Sequence, residues 1–124
     1  MTPTRHLTTV AAAVALVVLA AAAGPAAAAS HDDCEMAQQA FSECVTYVVG
    51  VDPAVTPHCC MGLGDVRDMG GTAAQRRALC ACILSELNAA GKVDPARAAA
   101  LPAACKVQVG FIPTKPDFDC STLP

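Results

Sequence analysis

Residues 59–82 read CCMGLGDVRDMGGTAAQRRALCAC, so an adjacent pair of cysteines and a CxC pair enclose one segment. The other cysteines are Cys34, Cys44, Cys105 and Cys120, which completes the series C-x9-C-x14-CC-x19-C-x-C-x22-C-x14-C. An even number of cysteines in a short chain is typical of a disulfide framework in an oxidising compartment. We therefore predict a small secreted domain with four disulfides, although the sequence alone leaves roughly a hundred pairings open.

The first 29 residues differ in character from the rest of the chain. A short segment carrying Arg5 leads into an apolar run from Val10 to Ala23, and Gly24-Pro25 and several alanines follow. This is the organisation of a secretory signal peptide. The apolar run is shorter than the ~20 residues that cross a bilayer. We expect cleavage near Ala29 and one mature domain over residues 30–124.

The composition of the mature part narrows the possible functions. Removing Arg5 leaves seven basic residues against eleven acidic ones, a net charge near −4. This balance argues against nucleic-acid binding and against recruitment to anionic membranes by charge. The mature part has four aromatic residues, Phe41, Tyr47, Phe111 and Phe118, and no tryptophan. Helices with such small side chains fill the space between them poorly, which favours an internal cavity.

Four helices are predicted from apolar stripes at helical spacing and from cap or stop signals at their ends. The first runs from about Asp33 to Val49, with Asp32 or Asp33 as its cap, and the second runs from Pro57, after the cap Thr56, to about Met69. The third runs from the cap Thr72 to Ala90. The fourth begins at Asp94-Pro95 and bends or ends around Pro102. The remainder, residues 106–124, favours an extended loop over a strand because of its prolines. The predicted class is all-α with a long irregular tail.

The complete cysteine series resembles the eight-cysteine motif of plant non-specific lipid-transfer proteins, which belong to the prolamin superfamily. The nine- and nineteen-residue intervals match the type 1 branch. Four shorter segments agree with it: CVTYVVG at 44–50, TAAQR at 72–76, LPAAC at 101–105 and PDFDCS at 116–121. Two features differ: Gln75 replaces an aspartate, and GFIPTK at 110–115 stands where the family has P-Y-x-I-S. The tyrosine of that family segment aligns with Ile112 or Phe111.

The resemblance implies a fold and a disulfide pattern. The type 1 pairs are Cys34–Cys82, Cys44–Cys59, Cys60–Cys105 and Cys80–Cys120, whereas type 2 would exchange Cys80 and Cys82. Ala81, inside the CxC pair, does not discriminate between them. The implied fold is a four-helix disulfide-linked bundle whose long C-terminal loop encloses a hydrophobic tunnel.

The resemblance also implies a function. The chain would be a monomeric secreted carrier of the cell wall or apoplast that binds and transfers fatty acids or phospholipids, with no cofactor, no metal and only transient membrane contact. The apolar candidates for the lipid contacts are Phe41, Val45, Val48, Leu63, Val66, Leu79, Ile83, Leu87, Leu101, Val109 and Ile112, each of which could equally be an ordinary core residue. Arg76 is the candidate for a carboxylate or phosphate head. Tyr47 is a further candidate, for which a structural role is favoured.

Three other functions are compatible with a small cysteine-rich chain. An enzyme is disfavoured because every cysteine has an expected disulfide partner and no nucleophile–base set is evident. A metal site built from His58 and the cysteines is disfavoured because the spacing does not match paired zinc ligands. The main alternative is a defence protein on the same scaffold, either antimicrobial or an inhibitor of amylases or proteases.

Overall fold

The computed structural model describes residues 30–124, and the expected signal peptide lies outside them. Four helices follow in chain order: α1 (His31–Val48), α2 (Pro57–Met69), α3 (Ala73–Ala90) and α4 (Pro95–Cys105). Residues 106–124 form an irregular tail with one short 3₁₀ turn at Cys120–Thr122, and the described part of the chain contains no strand. The prediction of an all-α domain with a long C-terminal loop is confirmed.

The starts of α2 and α4 follow from their cap residues. Thr56 Oγ1 accepts a hydrogen bond from the backbone N–H of Cys59 at 3.1 Å. Asp94 Oδ1 accepts from the N–H of Ala96 at 3.0 Å. A proline occupies the first turn of each helix, where its missing N–H has no helical partner to lose. Both starts agree with the prediction.

The structure corrects the start of α1. The helix begins at His31 rather than near Asp33, and its cap is Ser30 rather than Asp32 or Asp33. Ser30 Oγ accepts from the N–H of Asp33 at 3.1 Å, and the Asp33 carboxylate accepts from the N–H of Ser30 at 3.2 Å. This reciprocal pair satisfies two N–H groups at once, so it extends the helix to the serine.

The structure also extends α4. The sequence predicts a bend or an end around Pro102; the helix does not end there but continues to Cys105. Pro102 has no N–H to donate within the helix, but the backbone after it remains bonded. Val107 N donates to Pro102 O at 3.0 Å, and Lys106 N donates to Ala103 O at 3.2 Å. Lys106 then ends α4 in the left-handed conformation, with φ 56°.

Four disulfides connect the elements. Cys34–Cys82 joins α1 to α3, Cys44–Cys59 joins α1 to α2, Cys60–Cys105 joins α2 to α4, and Cys80–Cys120 joins α3 to the tail. These are the four type 1 pairs that the resemblance implies. Every helix therefore has at least one covalent link to another element.

The helices enclose one apolar core, and α1 packs chiefly against α2 and α3. Gly62 lets α1 and α2 come together closely. A Cβ atom added at Gly62 would lie 1.8 Å from the carbonyl oxygen of Ala40 on α1. The crossing of these two helices therefore requires glycine at this position.

Candidate functional site

The apolar residues proposed as lipid contacts all lie in the core. Seven of the eleven have no exposed surface: Phe41, Val48, Leu63, Val66, Ile83, Leu87 and Leu101. The other four, Val45, Leu79, Val109 and Ile112, are at most 9% exposed. The structure thus brings the predicted set together into one apolar interior, and that interior is closed around the seven residues without exposed surface.

A pocket of about 290 Å³ opens at one end of the helices. We call it the end pocket. It lies where the start of α1, the end of α2 and the start of α3 meet, and its lining residues are Asp33, Met36, Asp68, Met69, Gln75 and Leu79. Leu79 is the one predicted lipid contact in this lining, and it also belongs to the core. The end pocket and the apolar interior therefore share a wall.

Gln75 is held in the end pocket by the cap of α3. Its backbone N–H donates to Thr72 Oγ1 at 3.1 Å, and its side-chain Oε1 accepts from Thr72 N at 3.0 Å. The glutamine thus completes the same reciprocal cap that an acidic residue can form at this position. The difference from the family pentapeptide leaves the start of α3 intact and removes one negative charge.

Arg76 is bonded to the backbone in the structure. Its Nη1 donates to Gly70 O at 3.0 Å, and its Nη2 donates to Pro124 O at 3.3 Å. The ring of Phe111 packs on the same glycine, since a Cβ atom at Gly70 would lie 2.7 Å from the ring. The neighbouring Arg77 donates from Nε to Leu123 O at 2.8 Å. Both arginines therefore hold the end of the tail against α3.

Tyr47 lies beneath a third arginine, Arg97, which is not among the site residues predicted from the sequence. The guanidinium carbon of Arg97 is 4.9 Å from the centre of the Tyr47 ring, and Arg97 Nη1 donates to Tyr47 O at 3.1 Å and to Asp52 O. Asp94 N also donates to Val48 O at 2.9 Å. These contacts join the start of α4 to the end of α1. No sequence motif marks Arg97, because its partners are backbone oxygens about 50 positions earlier.

Glu86 on α3 is the one described acidic residue with a strongly raised pKa. Burial raises the pKa of its carboxyl from the usual 4.5 to about 7. Its Oε2 is buried and has no hydrogen-bond partner within the described residues. Nothing in the spacing of the sequence distinguishes Glu86 from the exposed acidic residues.

Within residues 30–124, no group of three or more histidine, cysteine, aspartate or glutamate side chains is arranged to hold a metal ion. None of the helices in this part is long and apolar enough to cross a membrane.

The sequence is similar to characterised plant proteins. A family model described as "Probable lipid transfer" matches residues 13–113. Non-specific lipid-transfer protein 1 of Prunus domestica is 37% identical over a region covering 63% of this chain and 85% of the relative. Non-specific lipid-transfer protein 1 of Solanum lycopersicum is 31% identical, over 73% of this chain and 76% of the relative.

The fold is similar to solved structures as well. The barley non-specific lipid transfer protein 1, solved in complex with a lysophosphatidylcholine, superposes with a TM-score of 0.64 at 27% identity, over 73% of this chain and 98% of that chain. A lipid transfer protein complexed with palmitoyl coenzyme A superposes with a TM-score of 0.57 at the same identity, over 73% of this chain and 98% of that chain. Cysteine pattern, disulfide-linked helices and these similarities agree, and the chain belongs to the family of plant non-specific lipid-transfer proteins.

Proposed function

We propose that this chain is a secreted carrier that binds and transfers fatty acyl lipids, with fatty acids and phospholipids as its ligands. The observation that carries the proposal is the disulfide-linked apolar interior in a chain of this family. The solved relatives with a lysophosphatidylcholine and with palmitoyl coenzyme A have the same fold. Their bound molecules share a long acyl chain, which is the part that an apolar interior can recognise.

The energetics favour broad selectivity for the acyl chain. Each methylene moved from water into an apolar interior gains about 0.8 kcal/mol, so a chain of twelve gains roughly 10 kcal/mol before costs. Lost translational freedom and chain ordering offset a large part of this gain. Because the attraction has no preferred direction, the length of the chain matters more than the structure of its head.

The closed interior determines how the acyl chain would enter. Seven of the proposed contacts have no exposed surface, so part of the core must move to admit a hydrocarbon chain. Leu79 is the natural starting point because it lines both the end pocket and the core. We propose entry at the end pocket and displacement of the core side chains beyond Leu79.

Arg76 and Tyr47 are proposed to act differently. Tyr47 supports Arg97 at the junction of α1 and α4, which is a structural role. Arg76 is proposed to contact an anionic head, although it already holds Gly70 O and Pro124 O. A guanidinium has five N–H groups, so binding a head does not require it to release both partners.

Secretion and the absence of catalysis complete the proposal. Residues 1–29 would be removed as a signal peptide, and the mature chain would act as a monomer in the cell wall or apoplast. All cysteines of the described part are in disulfides, so no thiol is left as a nucleophile. N-terminal sequencing of protein secreted from plant cells tests the cleavage, which we expect directly before Ser30.

Displacement of a fluorescent fatty acid tests the carrier function. The mature protein should bind the probe, release it to palmitate, and speed the movement of labelled phospholipid between vesicles. The same preparation should be assayed against α-amylase and trypsin. Inhibition of an enzyme without lipid binding would favour the defence alternative and contradict the carrier function.

A further inference from the structure

The end pocket differs in chemistry from an anion-binding site. Its charged lining residues are the two carboxylates Asp33 and Asp68, with no lysine, arginine or histidine among the six. The remaining lining consists of two methionines, a leucine and a glutamine. A molecule in this pocket therefore meets negative charge beside an apolar wall.

Each of the two carboxylates has an oxygen that is free to bind a ligand. Asp33 Oδ2 accepts from Ser30 N at 3.2 Å, and Asp68 Oδ1 accepts from Arg67 Nε at 3.0 Å. The second oxygen of each makes no hydrogen bond within residues 30–124. Arg67 offsets part of the charge of Asp68, but this pair is solvent-exposed and its stabilising energy is small. The mouth of the pocket keeps a net negative charge.

The apolar wall is formed by Met36, Met69 and Leu79. Met36 is 55% exposed although its side chain is large and apolar, so covering it with a ligand is favourable. Methionine side chains are flexible and polarisable, and they adapt to hydrocarbon chains of different shape. Leu79, which is 1% exposed, continues the wall into the core.

We propose that the end pocket binds the cationic head of an amphiphile, a long-chain amine or quaternary ammonium compound. The head would lie between Asp33 and Asp68, and the first methylenes would lie along Met36, Met69 and Leu79. The volume of about 290 Å³ holds roughly ten groups of the size of a water molecule at ~30 Å³ each. That is enough for a trimethylammonium head and a short run of methylenes. The inference rests on the proposed carrier function and adds a class of head group to it.

Calorimetry with three ligands of equal chain length tests the inference. The ligands are dodecyltrimethylammonium, dodecanoate and uncharged methyl dodecanoate, each below its micelle concentration. Asp68→Asn removes one charge of the pocket at an exposed position and should weaken binding of the cation about three- to fivefold, the effect of one partly exposed charge pair. Raising the salt to about 0.5 M should reduce the difference between the wild-type chain and this variant.

Asp117→Asn is the matched control. It makes the same change of charge in the exposed tail, beside Pro116, whose carbonyl oxygen bonds to Asn88 near the far end of α3. This variant should bind all three ligands as the wild-type chain does, and Asp68→Asn should bind dodecanoate no more weakly than the wild-type chain. If Asp68→Asn leaves the cation unaffected while the other two ligands bind normally, the inference is wrong and the carrier function stands. If the wild-type chain binds none of the three, the carrier function fails as well.

Discussion

Glu86 makes the stability of this protein depend on pH. Burial raises the pKa of its carboxyl to about 7, so between pH 4.5 and 7 the folded chain holds a proton that the unfolded chain has lost. The free energy of unfolding therefore falls as the pH rises through this window and levels off above it. Glu86→Gln should remove this slope and stabilise the protein at pH 8 by roughly 1 kcal/mol, allowing for solvent screening. Urea unfolding at pH 4, 6 and 8 measures the effect.

Glu43→Gln is the control for this prediction. Glu43 lies exposed on α1. Its replacement removes the same charge and should leave the slope in place. Identical pH profiles for the wild-type chain and Glu86→Gln would contradict the assignment.

Variants of Arg76 and Arg77 distinguish contact with the lipid head from anchoring of the C-terminal tail of the chain. Each donates to a backbone oxygen of residues 123–124, but only Arg76 matches the family pentapeptide. We expect Arg76→Ala to weaken palmitate binding about fivefold and to change methyl palmitate little, because the ester has no charge. Fluorescent displacement measures both ligands.

The same assay on Arg77→Ala supplies the comparison. Arg77→Ala should affect the two lipids equally if its contribution is limited to the tail. An equal loss of both lipids in Arg76→Ala would assign that residue to the tail as well.

The crossing of α1 and α2 depends on the absence of one side chain. Gly62→Ala would place a Cβ atom 1.8 Å from Ala40 O, so the two helices would have to move apart. We expect a loss of about 3 kcal/mol in the free energy of unfolding. Gly64→Ala, one half-turn later in α2, meets nothing nearer than a flexible arginine atom at 3.9 Å. It should stabilise the helix by up to ~1 kcal/mol. Thermal unfolding of both variants decides between these outcomes.

The helix starts could largely be predicted from the sequence, because they depend on residues close together in the chain. Thr56-Pro57, Thr72 and Asp94-Pro95 could be recognised from the sequence because a cap involves residues within one turn of each other. Gln75 differs from the aspartate of the family pattern but still completes the cap of α3, because its amide oxygen accepts a hydrogen bond as a carboxylate oxygen does. The start of α1 is less clear from the sequence, because Ser30, Asp32 and Asp33 are all cap-forming residue types within four positions.

The remaining features of the helices depend on partners far along the chain. Three features arise only after folding: the closeness of Gly62 to Ala40, the contacts of Arg97 with the end of α1, and the position of Asp33 and Asp68 in the lining of one pocket. The apolar stripes predicted which residues are buried. They could not separate a packed core from a cavity, because both need the same spacing of apolar residues.

At the scale of the whole molecule, the interior must be able to hold a guest. Ile83→Trp puts an indole into a fully buried position of α3, where it occupies space that an acyl chain would need. Binding of the fluorescent fatty acid should fall by tenfold or more, the order of effect seen when the volume of an apolar pocket changes. Met61→Trp makes the same addition at a position that is 68% exposed, and it should bind normally.

A second, smaller substitution at Ile83 separates a loss of lipid binding from a loss of folding. Ile83→Phe adds less volume than Ile83→Trp, so its melting temperature should fall less, and its helical circular dichroism should remain near that of the wild-type chain. It should still bind the probe more weakly than Met61→Trp. Normal binding by both Ile83 variants, with folding intact, would place the lipid outside the interior.

The disulfides leave one long segment around the core, residues 83–104, without a covalent link of its own. Between Cys82 and Cys105 lies the longest cysteine-free interval of the framework, and it contributes Ile83, Leu87 and Leu101 to the core. Its middle is held to α1 by contacts that include Asp94 N to Val48 O and Arg97 to the end of α1. Hydrogen bonds can break and re-form within the lifetime of the folded chain, whereas the sulfur bridges stay fixed. We therefore expect this side of the core to move outward when acyl chains of different thickness bind, and the disulfide-linked side to move less.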